Sequence, residues 1–221
     1  MSNDSIEKII LLFEDDNYRP NAGNMKNPFD TPERVAFRKT LRDFVAKEIK
    51  PNADAWDEAG EVPWDLHQRV GALGVWGFGI EEQYGGLGMD DCFMRAAYNE
   101  EFAMCGANGV PAALNGRMIS IEPIQRLANA DIRSRTLPNI VSGRKGSSLG
   151  ITEPSGGSDV AGMKTTARFD SGTYVINGSK AFITGGMTSD FFVIGARTGD
   201  DGLAGISLFL WMRPHPDSRA P

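Results

Sequence analysis

The hydrophobic periodicity of this 221-residue chain changes once, near Ser147, and that switch limits the folds open to it. Before it, apolar residues recur at intervals of three and four. Phe37, Leu41, Phe44, Val45 and Ile49 make one buried helix face. Thr31-Pro32-Glu33 opens that helix with a cap residue, a proline at the first helical position and an acid in the first turn, and Pro51 closes it. A second helix is predicted from Pro63 through Leu66 and Val70 to Leu73, with Gly74 as its C-terminal cap. Asp90 or Asp91 caps a third, whose inner face is expected to include Phe93, Ala96, Ala97, Glu100 and Met104. Further helical stretches fall at about 112–128 and 131–141.

After Ser147, short runs rich in Val, Ile, Thr and Phe alternate with turn residues. The predicted strands are 147–152, 164–169, 173–176, 181–184, 191–197 and 205–210. Asp170-Ser171-Gly172 and Asn177-Gly178 read as hairpin turns, because Gly and Asn accept positive φ at little cost. Strands joined by tight turns run antiparallel. The expectation is an α+β fold: an all-α helical domain over 26–146, then an antiparallel, barrel-like β domain over 147–210. Residues 1–25 read as an extension, either disordered or upstream of a start at Met25, although Ile6, Ile9, Ile10 and Phe13 share one side of a short helix.

Composition narrows the function. A net charge of -6 argues against nucleic acid or an anionic membrane as the main partner. No apolar run near the start reaches the length of a signal-peptide core or a membrane span. Cys92 and Cys105 alone can build neither a disulfide framework nor a four-cysteine zinc cluster, and they fit a reducing, cytoplasmic setting. His67 and His215 lack neighbouring ligands, so His67 is expected as a partly exposed helical residue and no metal site is expected. The adjacent acids Glu81-Glu82, Asp90-Asp91 and Glu100-Glu101 diverge on a helix and read as caps or solvated faces. Dinucleotide and phosphate-loop fingerprints are absent.

Two segments remain. Leu149-Gly150-Ile151-Thr152-Glu153-Pro154-Ser155-Gly156-Gly157-Ser158-Asp159-Val160 is a strand running into a loop of small residues, where a ligand can approach free N–H groups and hydroxyls. Farther on, Tyr174 to Thr184 contains an aromatic, Phe182, and a hydroxyl, Thr184, two residues apart. On a strand they share a face, an aromatic plate beside a hydroxyl that suits a flat heteroaromatic cofactor. The residues alone leave an ordinary β-hairpin equally open.

Thr152-Glu153-Pro154-Ser155-Gly156-Gly157-Ser158-Asp159-Val160, followed by Val175-Ile176-Asn177-Gly178-Ser179-Lys180 and Phe182-Ile183-Thr184, resembles the acyl-CoA dehydrogenase flavoprotein family. The Thr31-Pro32-Glu33-Arg34 helix start, the Glu81-Glu82-Gln83-Tyr84-Gly85-Gly86 turn and Leu137-Pro138 carry the same likeness, which spans about Asn27 to Leu210. It implies α,β-dehydrogenation of a fatty acyl-CoA with FAD as cofactor, electron-transfer flavoprotein as acceptor and a homotetramer. By position, Leu149, Gly150, Ile151, Thr152 and Ser158 line FAD, with Thr152 on the pyrimidine side of the flavin. Phe182 and Ile183 pack against the ring, Thr184 places its hydroxyl near N5, and Ser158 also reaches the acyl-CoA. Leu149 and Phe182 stand where relatives commonly carry an aromatic and a tryptophan. An oxidase or monooxygenase on the same scaffold is the rival enzyme reading.

The resemblance also implies a third, C-terminal helical domain carrying the glutamate base, so no residue here is assigned as the catalytic base and an inert fragment is the non-enzyme alternative. The family pattern stops at Trp211, and three prolines follow. One added G before the Trp211 and Met212 codons reads Val-Asp, and the shifted codons of His215 to Ser218 permit Pro-Gly-Phe, as the family shows there. The expectation is a one-base frameshift, with 211–221 as an aberrant tail.

Overall fold

The computed structural model describes residues 28–214 apart from 117. The short helix face of Ile6 to Phe13, the start at Met25 and the shifted codons from His215 onward lie outside them. Among the described residues, seven α-helices precede a five-stranded sheet.

Helix α1 (Pro32–Phe44) begins as its sequence dictates, with the Thr31 side chain accepting from the Arg34 N–H and Pro32 in the first turn. It runs on through a π-turn (Val45–Ile49) and a 3₁₀ turn (Lys50–Asn52) into α2 (Ala53–Ala59), a helix that the proline at 51 masks in the sequence. Proline ends the α hydrogen-bond ladder without ending the helical course of the chain. Helix α3 (Trp64–Ala72) is followed by the Glu82–Tyr84 turn and by α4 (Cys92–Ala103), which Asp91 caps through the N–H groups of Phe93 and Met94. Helices α5 (Gly109–Asn115), α6 (Met118–Leu127) and α7 (Ala130–Val141) complete the bundle.

The face of α4 is rotated by one residue from the predicted one. Ala97, Tyr98, Glu101, Phe102 and Cys105 are buried, whereas Ala96, Glu100 and Met104 are exposed. The reason is electrostatic. Glu101 faces α1 and accepts hydrogen bonds from Arg38 and Arg42, each at 3.2 Å, so an acid occupies an interior position that patterning gives to apolar residues. His67 is likewise buried, not partly exposed, because its ring sits 4.9 Å from Trp64 and 6.4 Å from Trp76. Cys105 is buried and Cys92 exposed.

The sheet consists of β1 (Ser147–Gly150), β2 (Thr166–Asp170), β3 (Thr173–Asn177), β4 (Phe191–Arg197) and β5 (Ile206–Met212). The β2–β3 hairpin over Asp170 to Thr173 and the β4–β5 pair are antiparallel, as local turns require. β1 pairs in parallel with β4, Leu149 opposite Val193, and β2 touches β4 in parallel through Thr166 and Arg197. The helical-then-β order follows the sequence expectation, while the sheet itself is mixed. β5 runs two residues past the predicted end at Leu210: Trp211 pairs with Phe192 and Met212 with Phe191. Arg213 then donates to the carbonyls of Ser189 and Gly186. Among the described residues no helix is long and apolar enough to cross a membrane, and no cluster of side chains could hold a metal ion.

Candidate functional site

The two segments singled out in the sequence lie side by side. β1 leaves the sheet after Gly150 and continues as Ile151-Thr152-Glu153, and the chain from Gly178 to Gly185 returns along it. Gly178 makes the return by close approach: a Cβ there would stand 2.4 Å from Thr165 Oγ1 and 2.7 Å from Thr165 Cα. Asn177-Gly178 is therefore an exit from the sheet and not a hairpin turn.

Residues 181–184 do not form the predicted strand. Separate hydrogen bonds tie this segment to β1 and to its continuation through Glu153 in place of a ladder. Lys180 Nζ donates to the Ile151 carbonyl and pairs with Glu153 Oε1, both at 3.0 Å. The Ala181 N–H donates to the Thr152 carbonyl at 3.0 Å, and Ser148 Oγ donates to the Thr184 carbonyl at 2.7 Å. Between these anchors Phe182 adopts φ 56, a left-handed conformation uncommon for a bulky residue, and is 93 % exposed. Phe182 and Thr184 therefore do not share a strand face. A strained turn presents the aromatic instead.

Glu153 is the electrostatic centre of the arrangement. It is 6 % exposed and accepts from the N–H groups of Lys164 and Thr165, both at 2.8 Å, as well as from Lys180. Burial pushes its pKa up, but hydrogen bonds from Thr165, the Lys164 backbone and Lys180 outweigh it and hold the carboxyl at about 2. A folded pKa below the unfolded one stabilises the fold above the unfolded value, and that stability is lost as pH falls from about 4.5 towards 2. The shift corresponds to about 3 kcal/mol at full strength, and to roughly 2 kcal/mol after solvent screening at a surface loop. Urea unfolding at pH 7 and pH 3 should show more than half of that loss, and Glu153→Gln should flatten it. An unchanged acid slope in the variant would assign the loss to other carboxylates.

The loop after Glu153 is tight and exposed. Glu153 and Gly156 exchange backbone hydrogen bonds, and Asp159 caps the Val160–Gly162 turn through the Gly162 N–H. Ser158 lies exposed on this loop. Gly150 is buried; Leu149, Ile151, Thr152 and Ile183 are half-buried; Thr184 is exposed. The 182–185 segment stands between two clefts. One, of about 450 Å³, lies against the helical domain and is lined by Thr184, Glu61, Trp64, His67 and Ser147. The other, of about 520 Å³, is lined by Gly150, Lys180, Ile183, Met187 and Phe192. Ser158 lines neither.

Three residues the sequence reading left without a role build this site: Glu153, Lys180 and Ser148. The first two stand in the quoted motifs, and an acid and a lysine in one site signal a pair. Ser148 gave no signal, since a serine within a predicted strand reads as solvent-facing.

Known proteins share this architecture. The family model described as "Acyl-CoA dehydrogenase, N-terminal domain" matches residues 31–144, and "Acyl-CoA dehydrogenase, middle domain" matches residues 148–220. An acyl-CoA dehydrogenase of Bacillus subtilis is 36% identical over 181 residues, which are 81% of this chain and 48% of the relative. The chain therefore spans about half the length of the curated relatives it matches. A crystal structure of a probable acyl-CoA dehydrogenase from Mycobacterium abscessus superposes with a TM-score of 0.78 at 37% identity, over 84% of this chain and 50% of that one. A glutaryl-CoA dehydrogenase from Mycobacterium smegmatis, solved in complex with FADH2, superposes with a TM-score of 0.73 at 30% identity, over 85% and 47% of the two chains. With matches covering its helical and β domains in succession, the chain belongs to the acyl-CoA dehydrogenase family.

Proposed function

We propose that these domains form the flavin- and substrate-facing part of an acyl-CoA dehydrogenase that introduces an α,β double bond into a fatty acyl-CoA thioester. The observation that carries the reading is Phe182, held in a left-handed turn and almost fully exposed beside Thr184. An apolar ring kept in water under backbone strain has its use in a partner ring.

The donor set fits FAD. Among the described residues, the backbone N–H groups of Phe182, Ile183 and Thr184 and the hydroxyls of Thr152 and Thr184 make no hydrogen bond, so they stand available to the polar edge of a flavin. When bound, FAD supplies the acceptor for the hydride that leaves the β-carbon. Phe182 stacks on the ring, with Leu149, Gly150, Ile151 and Ile183 as its apolar and backbone surround. Thr152 binds the pyrimidine edge, and Thr184 orients the N5 edge. Ser158 reaches the acyl-CoA from the exposed loop. These residues bind and orient; proton abstraction is not assigned to them. Electron-transfer flavoprotein is the acceptor we assign, and the cytoplasm the compartment.

Titrating FAD with the purified chain, free of oxygen, tests the reading. A flavin absorbance band that changes and saturates with added chain, and changes again with an acyl-CoA, is expected. A spectrum identical to free FAD at all concentrations would refute it.

A further inference from the structure

We infer that Lys180, backed by Glu153, is a positioning residue: it fixes the turn in which Phe182 and Thr184 are presented, and so acts on the cofactor without touching it. The inference rests on the flavin reading above and adds a residue to it.

Three consecutive residues on one side grip two on the other. Ile151 and Glu153 both bond Lys180 Nζ, and Thr152 between them accepts from the Ala181 N–H. At the far end Ser148, itself buried, grips the Thr184 carbonyl and shares a 2.7 Å hydrogen bond with Ser189. Phe182 and Ile183 lie between the two anchors with no backbone donor engaged among the described residues. A left-handed φ at a bulky residue is sterically costly and has to be imposed from its ends. The Lys180 end is the stiffer choice for that task. Its side chain is 13 % exposed, and the acid it meets is already fixed by the N–H groups of Lys164 and Thr165 at the entry to β2. The ammonium thereby couples the turn to the sheet. A buried ion pair is poor evidence of stability for its own sake, since well-packed apolar residues often do as well. What the charges add here is a defined place for the Ile151 carbonyl and, one residue on, for Ala181.

A pure fold staple and a positioning residue differ in what they move. Lys180→Met, Lys180→Arg and the double variant Glu153→Gln/Lys180→Met are compared in the full chain. The double variant removes the unpaired buried acid and serves if Lys180→Met does not fold. Gly106→Ala, at a left-handed glycine that lines neither cleft, reports the effect of lowered stability alone. The readouts are FAD affinity and hydrogen exchange of the Ala181, Gly186 and Ser189 amides, which are hydrogen-bonded around this turn. The expected result is at least tenfold faster exchange at these amides and at least tenfold weaker FAD binding in Lys180→Met or the double variant. Helix α1 and α4 amides keep their protection, and Lys180→Arg recovers part of both losses. Changes no larger than those in Gly106→Ala overturn the inference. If the unaltered chain takes up no FAD, the flavin reading fails, and the exchange measurement alone decides whether Lys180 orders the turn.

Discussion

Gly143→Ala is expected to destabilise the chain by about 3 kcal/mol or more, with loss of the helical domain and of the β1 register together. Gly143 has φ 71, where any side chain is strained, and a Cβ there would stand 2.2 Å from the His67 carbonyl oxygen and 2.9 Å from the Gln68 nitrogen. Both obstacles are backbone atoms of α3, so they cannot step aside as a side-chain end would. Movement of α3 is resisted in turn by His67, packed between Trp64 and Trp76. The contact is reciprocal: a Cβ on Gly71 would meet the Ser142 carbonyl carbon at 2.6 Å. Overpacking costs about 1–3 kcal/mol and the left-handed backbone about 1–2 kcal/mol more. Gly60→Ala separates the two terms, because Gly60 has φ 66 but nothing within 4 Å of its would-be Cβ. It should lose only the backbone term. Equal losses in the two variants, measured by denaturant unfolding, would refute the contact argument. Since Gly143 stands four residues before β1, whose Ser148 grips Thr184, the same change should also abolish flavin binding.

The contrast between these glycines shows which parts of the fold the sequence makes legible. Thr31-Pro32, Asp91 and Asp170-Ser171-Gly172 act on neighbours within a few residues, and each does in the structure what its chemistry requires. Gly143 and Gly71 act across about seventy residues of chain, and nothing near them announces it. The same distance hides the parallel pairing of β1 with β4, which no local turn dictates. Polar residues in the interior mislead for a different reason. Glu101 turns the α4 face by one position because two arginines of α1 meet it, and Ser147 and Ser148 are buried because Ser120, Ser189 and the Thr184 carbonyl satisfy them. In the site, the residue types of both motifs were readable, and so was their proximity through the family resemblance. The conformation of 181–184 was not, since an Ala-Phe-Ile-Thr run looks like a strand until Lys180 and Ser148 are seen to hold it away from one.

Phe182→Gly should separate folding from function in that turn, raising stability while weakening the cofactor. Glycine takes φ 56 without the steric cost of about 1–2 kcal/mol, and it gives back about 0.5–1 kcal/mol through the entropy of the unfolded chain. Because Phe182 is 93 % exposed, removing its ring sacrifices almost no burial in the chain itself. The balance is a gain of about 0.5–1 kcal/mol, a rise in Tm of about 1–4 °C. FAD loses its stacking partner and binds at least about tenfold more weakly, the equivalent of about 1.4 kcal/mol. Phe182→Leu removes the aromatic face but keeps the strain, so it should lose affinity with no gain in Tm. Phe182→Trp should keep both properties close to those of the unaltered chain. Thermal unfolding and flavin titration on the three variants decide the matter. A stable Phe182→Gly that binds FAD as tightly as the parent would remove Phe182 from the cofactor site, and a fall in its Tm would mean that the turn depends on the ring and not only on its anchors. Strain that folding alone would discard is retained here at an almost fully exposed aromatic beside Thr184, and its release is what a ligand-free selection for stability would find first.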